Sequence, residues 1–239
     1  MINVKSITLL FIFALATTSS AFAGTARQPN AVVELFTSQG CSSCPPADSL
    51  MGELVKNPDV LGLSYAVTYW DYIGWKDVFG RAENDERQVK YRDKLDARYV
   101  YTPQMIIGGS EHFVGSNSAK LEDSLRDHKG HAKSINLNWR FKGETLEIDL
   151  PATNKSAVIW QVDIDHTKEV NIRRGENTGK TITYHNVVRN TREIAQWDGQ
   201  KTTLSLDLSL LMSEGRDGCA ILIQKEGYGA ILGALIIDL

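Results

Sequence analysis

Ala31-Val32-Val33-Glu34-Leu35-Phe36-Thr37-Ser38-Gln39-Gly40-Cys41-Ser42-Ser43-Cys44-Pro45-Pro46 is the stretch that decides how the first half of this chain folds. Two thiols with two residues between them can close on each other as a small disulfide ring, or jointly hold a soft metal ion. The spacing leaves that choice open; the context narrows it. Ala31 to Thr37 is apolar and β-branched apart from Glu34, as expected for a central strand buried on both faces. A helix is predicted over Pro46 to Val55, with Leu50, Met51, Leu54 and Val55 as its buried stripe. A CxxC at a strand-to-helix turn is the sequence mark of a thioredoxin-like redox site.

The N-terminus sets the compartment. Met1 to Lys5 carries one positive charge, Ile7 to Ala16 is apolar apart from Thr8, and Ala21-Phe22-Ala23 fits a small-x-small cleavage site. The apolar stretch falls short of the roughly 17–25 residues that cross a bilayer. Residues 1–23 therefore read as a secretory signal cleaved after Ala23, leaving a periplasmic or secreted chain with no stable membrane insertion. Outside the cytosol thiols tend to be oxidised, so Cys41 and Cys44 are expected to be able to form a disulfide. Three cysteines are too few for a disulfide-stapled scaffold, and Cys219, within Gly218 to Ile223, reads as a small hydrophobe in a buried strand. The formal charge of −3 comes from well-mixed signs. No basic stripe suits nucleic acid, and no polybasic segment suits anionic lipid.

The first half alternates strands and helices. After the CxxC helix come a strand over Val60–Tyr69 and a helix over Asn84–Arg98, with Asp85 and Glu86 in its first turn and Tyr91, Leu95 and Tyr99 in register. Gln104–Ile107 and His112–Val114 flank a Gly108-Gly109-Ser110 hairpin signal. Asn117 or Ser118 then caps a helix that runs to Arg126. The order β-α-β-α-β-β-α is that of thioredoxin. From about Ser134 the texture changes to strand-like runs over Ile135–Phe141, Thr145–Leu150, Val158–Ile164, Thr181–Val188, Thr202–Leu206, Ala220–Gln224 and Ala230–Leu239. Gly, Asn, Asp and Lys turns separate them, which suggests a small sandwich or barrel. The expected fold class is α/β, with a thioredoxin-like domain over 24–132 followed by a β-rich, sandwich-like domain over 133–239.

Four residues are candidates for chemistry. A thiol is nucleophilic as thiolate, and a helix N-terminus lowers its pKa. Cys41 is the expected nucleophile, because the first Cys of such pairs is usually the exposed one, and Cys44 the resolving thiol. A residue before Pro avoids the helical region, so Cys44 and Pro45 are expected to be extended or turn-like, with the helix starting near Pro46. Pro103, in Thr102-Pro103 before the third strand, occupies the place where thioredoxin-like folds set a cis-proline facing the CxxC. A Pro before a strand is also common and usually trans. Glu34, seven residues before Cys41, reads either as a buried carboxylate that accepts the Cys44 proton or as a Glu at a sheet edge or bonded to a Ser or Thr. Trp70, Asp71 and Trp75 leave a strand end, where ligands bind in α/β sheets; they either wall a pocket beside Cys41 or cover the sheet end.

Glu34 to Asp48, Tyr69-Trp70-Asp71-Tyr72-Ile73-Gly74-Trp75-Lys76-Asp77, Val100-Tyr101-Thr102-Pro103-Gln104, Phe113-Val114-Gly115, Arg174-Gly175-Glu176-Asn177-Thr178-Gly179 and Asn186-Val187-Val188-Arg189 together resemble one family. It is that of the exported thioredoxin-like proteins of bacteria classed as a domain of unknown function. The resemblance spans nearly the whole mature chain and implies a thioredoxin-like domain followed by a β-rich one. The chain departs from the family pattern at Ala66-Val67-Thr68, where His-Val-Asp is expected.

The leading expectation is a thiol–disulfide oxidoreductase or redox-responsive protein with a protein thiol or disulfide partner. The alternative is a non-enzymatic envelope module in which the Cys41–Cys44 bond only stiffens a loop. No cofactor or metal is expected: thiolates suit Cu(I) or Zn, but no His lies near the pair and His185 sits far along the chain. No Gly-x-Ser-x-Gly elbow supports a hydrolase, and Gly175 to Gly179 is unlike a phosphate loop.

Overall fold

The computed structural model describes residues 24–239, so the signal segment read over 1–23 lies outside the described residues. A short strand, β1 (Thr25–Arg27), leads into β2 (Ala31–Thr37), all of whose residues are buried. Helix α1 (Pro45–Leu54) follows, then β3 (Val60–Ala66), a single 3-10 turn (Asp71–Ile73), α2 (Ala82–Lys94), the hairpin β4 (Gln104–Ile107) and β5 (Glu111–Val114), and α3 (Ser118–Asp127). Asn117 caps α3 by accepting the Lys120 amide, as its sequence position predicts. β3 stops three residues short of the expected Tyr69, because Thr68 turns aside and gives both its amide and its hydroxyl to the Asp85 carboxylate.

The second half contributes β6 (Asn138–Lys142), β7 (Thr145–Leu150), β8 (Ala157–Asn171), β9 (Thr181–Trp197), β10 (Thr202–Asp207), the short α4 (Ser209–Ser213), β11 (Gly218–Gln224) and β12 (Ile231–Asp238). These strands do not form one separate sandwich. Four of them extend the sheet of the first half into nine strands ordered β1-β12-β11-β8-β9-β3-β2-β4-β5, while β10-β7-β6 make a small second sheet. The sheet is mixed, with β2, β3 and β9 running parallel and its other pairs antiparallel. Strands on both sides of residue 133 therefore share one backbone ladder. β3 meets β9 at a single bridge, Ser64 and Val187, and β1 adds three residue pairs with β12 at the far edge. Side chains reinforce the bridge: the Ser64 hydroxyl donates to the His185 carbonyl at 2.7 Å, and the Asn186 amide donates to the Gly62 carbonyl at 2.9 Å.

Side chains alternate across a strand, so each face collects its own core. Val32 and Phe36 of β2, Leu61, Leu63 and Tyr65 of β3 and Val162 and Ile164 of β8 share one face with Tyr91 of α2. Val33 and Leu35 point the other way, onto Ala47, Met51 and Leu54 of α1 and Leu121 of α3. The small sheet packs Leu146, Ile148 and Leu150 against Ile159, Ile221 and Leu235 of the large one. This alternation fixes which β2 residues can see the helix that follows the cysteines.

Candidate functional site

Cys41 and Cys44 are joined as a disulfide, with Cα atoms 5.4 Å apart, in the loop between β2 and α1. The loop winds as successive turns: the Cys41 amide donates to the Ser38 carbonyl at 3.1 Å and the Cys44 amide to the Cys41 carbonyl at 3.2 Å. α1 begins at Pro45, one residue earlier than expected. Cys44 is its N-cap residue with φ −79° and ψ −36°. The helical conformation that a following Pro disfavours is held here, because the Cys44 carbonyl accepts the amides of Ala47 and Asp48. Both cysteines are fully buried, whereas Ser42 and Ser43 between them are exposed. The expectation of an exposed first cysteine is therefore corrected: other parts of the chain cover Cys41.

Glu34 is corrected as well. It shares the α2 face of β2 with Val32 and Phe36, opposite the face that carries α1. Its carboxylate, fully buried, accepts from Arg87 Nε at 2.7 Å and from the Tyr91 hydroxyl. Arg87 is ringed by the aromatic faces of Tyr65, Tyr91, Trp160 and Tyr228, at 5.1–5.7 Å. Glu34 is the anion of a core ion pair on the wrong side of the sheet to serve Cys44.

The buried carboxyl on the right side is Asp48. It lies one helical turn past Cys44, and its Oδ1 accepts the Thr37 hydroxyl at 2.7 Å. Its Oδ2 is buried with no partner. Burial, helped by the neighbouring negative charge of Asp77, pushes its pKa up to about 8, against the opposing Thr37 bond. Asp77 is buried too and is raised to about 6, although the Gln39 and Phe79 amides donate to it at 2.7 and 2.9 Å. Burial also raises the Tyr184 phenol, and both aspartates add to that shift. Asp48, Asp77 and Tyr184 thus form a protonation-sensitive cluster beneath the disulfide loop. An acid at position 48 reads in sequence as an ordinary first-turn residue, and only the contact with β2 separates it from one.

The aromatic segment closes one side of the loop. A Cβ on Gly40 would stand 3.0 Å from Trp70 Cβ and 3.2 Å from the Trp70 carbonyl, so glycine is what lets Trp70 lie against the loop. Trp70 Nε1 donates to the Thr102 hydroxyl at 2.7 Å, and Trp75 Nε1 donates to Gln39 Oε1 at 2.8 Å. These rings pack the loop and the end of the sheet; Tyr72, stacked on Trp70, is the one left exposed. Thr102–Pro103 is a cis peptide. Pro103 is buried, its carbonyl accepts the Gly115 amide at 2.9 Å, and it stands with Ala47 of α1 around Gly115. The structure thus brings Cys41, Cys44 and Pro103 to one end of the sheet and leaves Glu34 out.

The other side is closed from far along the chain. Asn177, fully buried at the tip of the β8–β9 hairpin, donates to the Gln39 carbonyl at 3.0 Å and to the Cys41 carbonyl at 2.9 Å. Glu176 accepts the Ser42 amide at 3.2 Å, and Lys180 Nζ donates to Asn177 Oδ1 at 2.8 Å. An open groove of about 600 Å³ runs beside α1 from Pro45 past Gly52 and Lys56, facing Lys180, Thr183 and His185 of the hairpin. Among the described residues, no group of three or more His, Cys, Asp or Glu is gathered to hold a metal ion.

Known proteins place the chain. No curated protein matches it. A crystal structure of a protein from Agrobacterium tumefaciens is similar, with 34% identity and a TM-score of 0.76 over 89% of this chain and 95% of that one. HBP35 of Porphyromonas gingivalis shares the fold alone, at 12% identity and a TM-score of 0.56 over 87% of this chain and 74% of that one. A family model described as a protein of unknown function, DUF1223, matches residues 32–224, and the chain belongs to that family.

Proposed function

We propose that this chain is an exported, thioredoxin-like thiol–disulfide exchange protein whose redox couple is Cys41–Cys44. The observation that carries the reading is the closed pair at the N-cap of α1 with the buried carboxyl of Asp48 one turn on. Asp48, raised to about 8, holds its proton at neutral pH, and in this reading it is the acid that protonates the departing sulfur.

In the direction of reduction, a thiolate of a partner dithiol attacks Cys41 Sγ. The Cys41–Cys44 bond breaks, its electron pair leaves on Cys44, and Asp48 supplies the proton. The partner's second thiolate then attacks the mixed disulfide, releasing Cys41, which takes a proton from solvent. The partner departs as a disulfide, and two electrons have passed to the chain. In oxidation the steps run backwards, with ionised Asp48 accepting the Cys44 proton. Pro103 stands with Ala47 of the first turn of α1 around Gly115, at the same end of the sheet, and the partner in this reading is a protein outside the cytosol.

Mixed-disulfide trapping tests this. With Cys44→Ser, the Cys41 thiolate is expected to attack an added disulfide-bearing peptide, releasing one peptide thiol and accumulating as a mixed disulfide, seen as a mass increment that dithiothreitol removes. Cys41→Ser is expected to trap little. Equal absence of adducts in both variants sinks the assignment. A second reading, an envelope-binding module with a structural bond, is favoured by one observation: both sulfurs are buried and the loop carbonyls are tied down by Asn177.

A further inference from the structure

β8 and β9 run beyond the sheet that holds them. β11 accompanies β8 only as far as Ile164, and β3 meets β9 only at Val187. Outward of these points the two strands continue as a two-stranded ribbon, paired from Thr167 and His185 to Asn171 and Thr181. At the root, the pairing shifts register after Asp163, and Asn186 sits in the left-handed region with φ 46°. That irregularity is where a ribbon bends most readily.

The ribbon is held down by three kinds of contact. Its inner side chains, Ile172, Ile182 and Tyr184, pack with Trp75 and Phe79. His185 rests on Gly52 of α1, where a Cβ would stand 2.8 Å from the ring. At the far end, Asn177 donates to the carbonyls on either side of Gly40, and Glu176 receives Ser42. The tip therefore binds the backbone of the very loop whose two cysteines are fully buried. The small hydrophobic patch and the few polar contacts are what a segment that opens locally would carry.

We infer that the tip of this ribbon, residues 172–180, is a lid over the Cys41–Cys44 bond, hinged near Asn186 and latched by Asn177. The inference rests on the exchange reading above and adds to it a gate: thiols reach Cys41 only in the fraction of molecules whose lid is lifted. Asn177 is a positioning residue in this scheme. It touches neither sulfur and acts by holding the Gln39 and Cys41 carbonyls.

The test is the rate at which the disulfide of the full mature chain is reduced by dithiothreitol, read by quenching with an alkylating reagent and weighing the product. For wild type the rate is expected to level off as dithiothreitol rises, because lid opening becomes limiting. Asn177→Ala removes the two bonds of ordinary strength that hold the loop, along with the Lys180 bond, and is expected to speed reduction roughly tenfold to a hundredfold at low reductant. Lys180→Met, which frees the Asn177 carbonyl without touching the loop, is expected to give a smaller acceleration and guards against a misfolded Asn177→Ala. A wild-type rate strictly proportional to dithiothreitol overturns the lid, as do variants that react no faster than wild type. Equilibrium separates the two ideas: if proteins exchange in a dithiothreitol redox buffer but at equal rates, only the lid fails. If none is reduced at any ratio, the exchange reading fails and the lid falls with it.

Discussion

Asp48→Asn offers the most quantitative probe of the cluster beneath the disulfide. The native carboxyl is raised from 3.8 to about 8 by burial, so between those values the folded chain keeps a proton that the unfolded chain has lost. A state that binds more protons is weakened as pH rises, so stability attributable to this group falls across that window. One pKa unit corresponds to about 1.4 kcal/mol, so between about pH 4 and pH 7 the wild type loses about 4 kcal/mol on this account. Asparagine matches the protonated carboxyl in shape, accepts the Thr37 hydroxyl in the same way and does not ionise. The variant is thus expected to be close to wild type in stability near pH 4, increasingly more stable up to pH 7, and level relative to wild type above about pH 8. Urea unfolding of the oxidised proteins, followed by tryptophan fluorescence at a series of pH values, measures the difference. A difference that stays constant with pH, or shrinks as pH rises, refutes the assignment of a buried, proton-holding Asp48.

Arg87→Met removes the guanidinium from the fully buried Glu34 carboxylate, and is expected to cost about 3–5 kcal/mol in urea unfolding; a loss below about 1 kcal/mol contradicts a charged pair. Glu34→Gln is expected to leave the reduction rate of the disulfide unchanged, since the residue faces away from α1; a large change restores it to the site. Asn186→Ala loses the bond to Gly62 and puts a side chain that favours right-handed backbone at φ 46°, for an expected loss of about 1–3 kcal/mol. Asn186→Gly should recover the backbone part, and equal losses for the two would exclude it.

Much of the fold was legible because local pattern and tertiary packing agree along β2, α1, β4 and α3. Each carries its own period and its own stop signal, such as the Asn117 cap. The failures share a cause: they depend on which face or which distant segment a residue meets. β2 is buried on both faces, so its sequence does not say that Glu34 faces α2 while Thr37 faces α1. Asp48 gains its character from that same parity. Read from sequence, β8 ends at Ile164, because its outer part, His166 to Asn171, has Val170 as its single apolar residue, and β9 ends at Val188, because Arg189 to Glu193 is a polar run inside the sheet. Without the outer half of β8 there is no ribbon in the sequence pattern, and nothing in it sets Asn177 against Cys41, 136 residues away. The stretch around Asn177 carries a motif, but its partners are two backbone carbonyls, which have no sequence signature.

The reduction potential of the Cys41–Cys44 couple tests the central claim most directly. Equilibration in dithiothreitol or glutathione buffers, with alkylation to count free thiols, gives it for the full mature chain. An exchange couple predicts a value between about −270 and −120 mV, the span of known exchange catalysts. A value below about −300 mV, typical of disulfides that the glutathione pool leaves intact, would contradict it and make the bond a structural one.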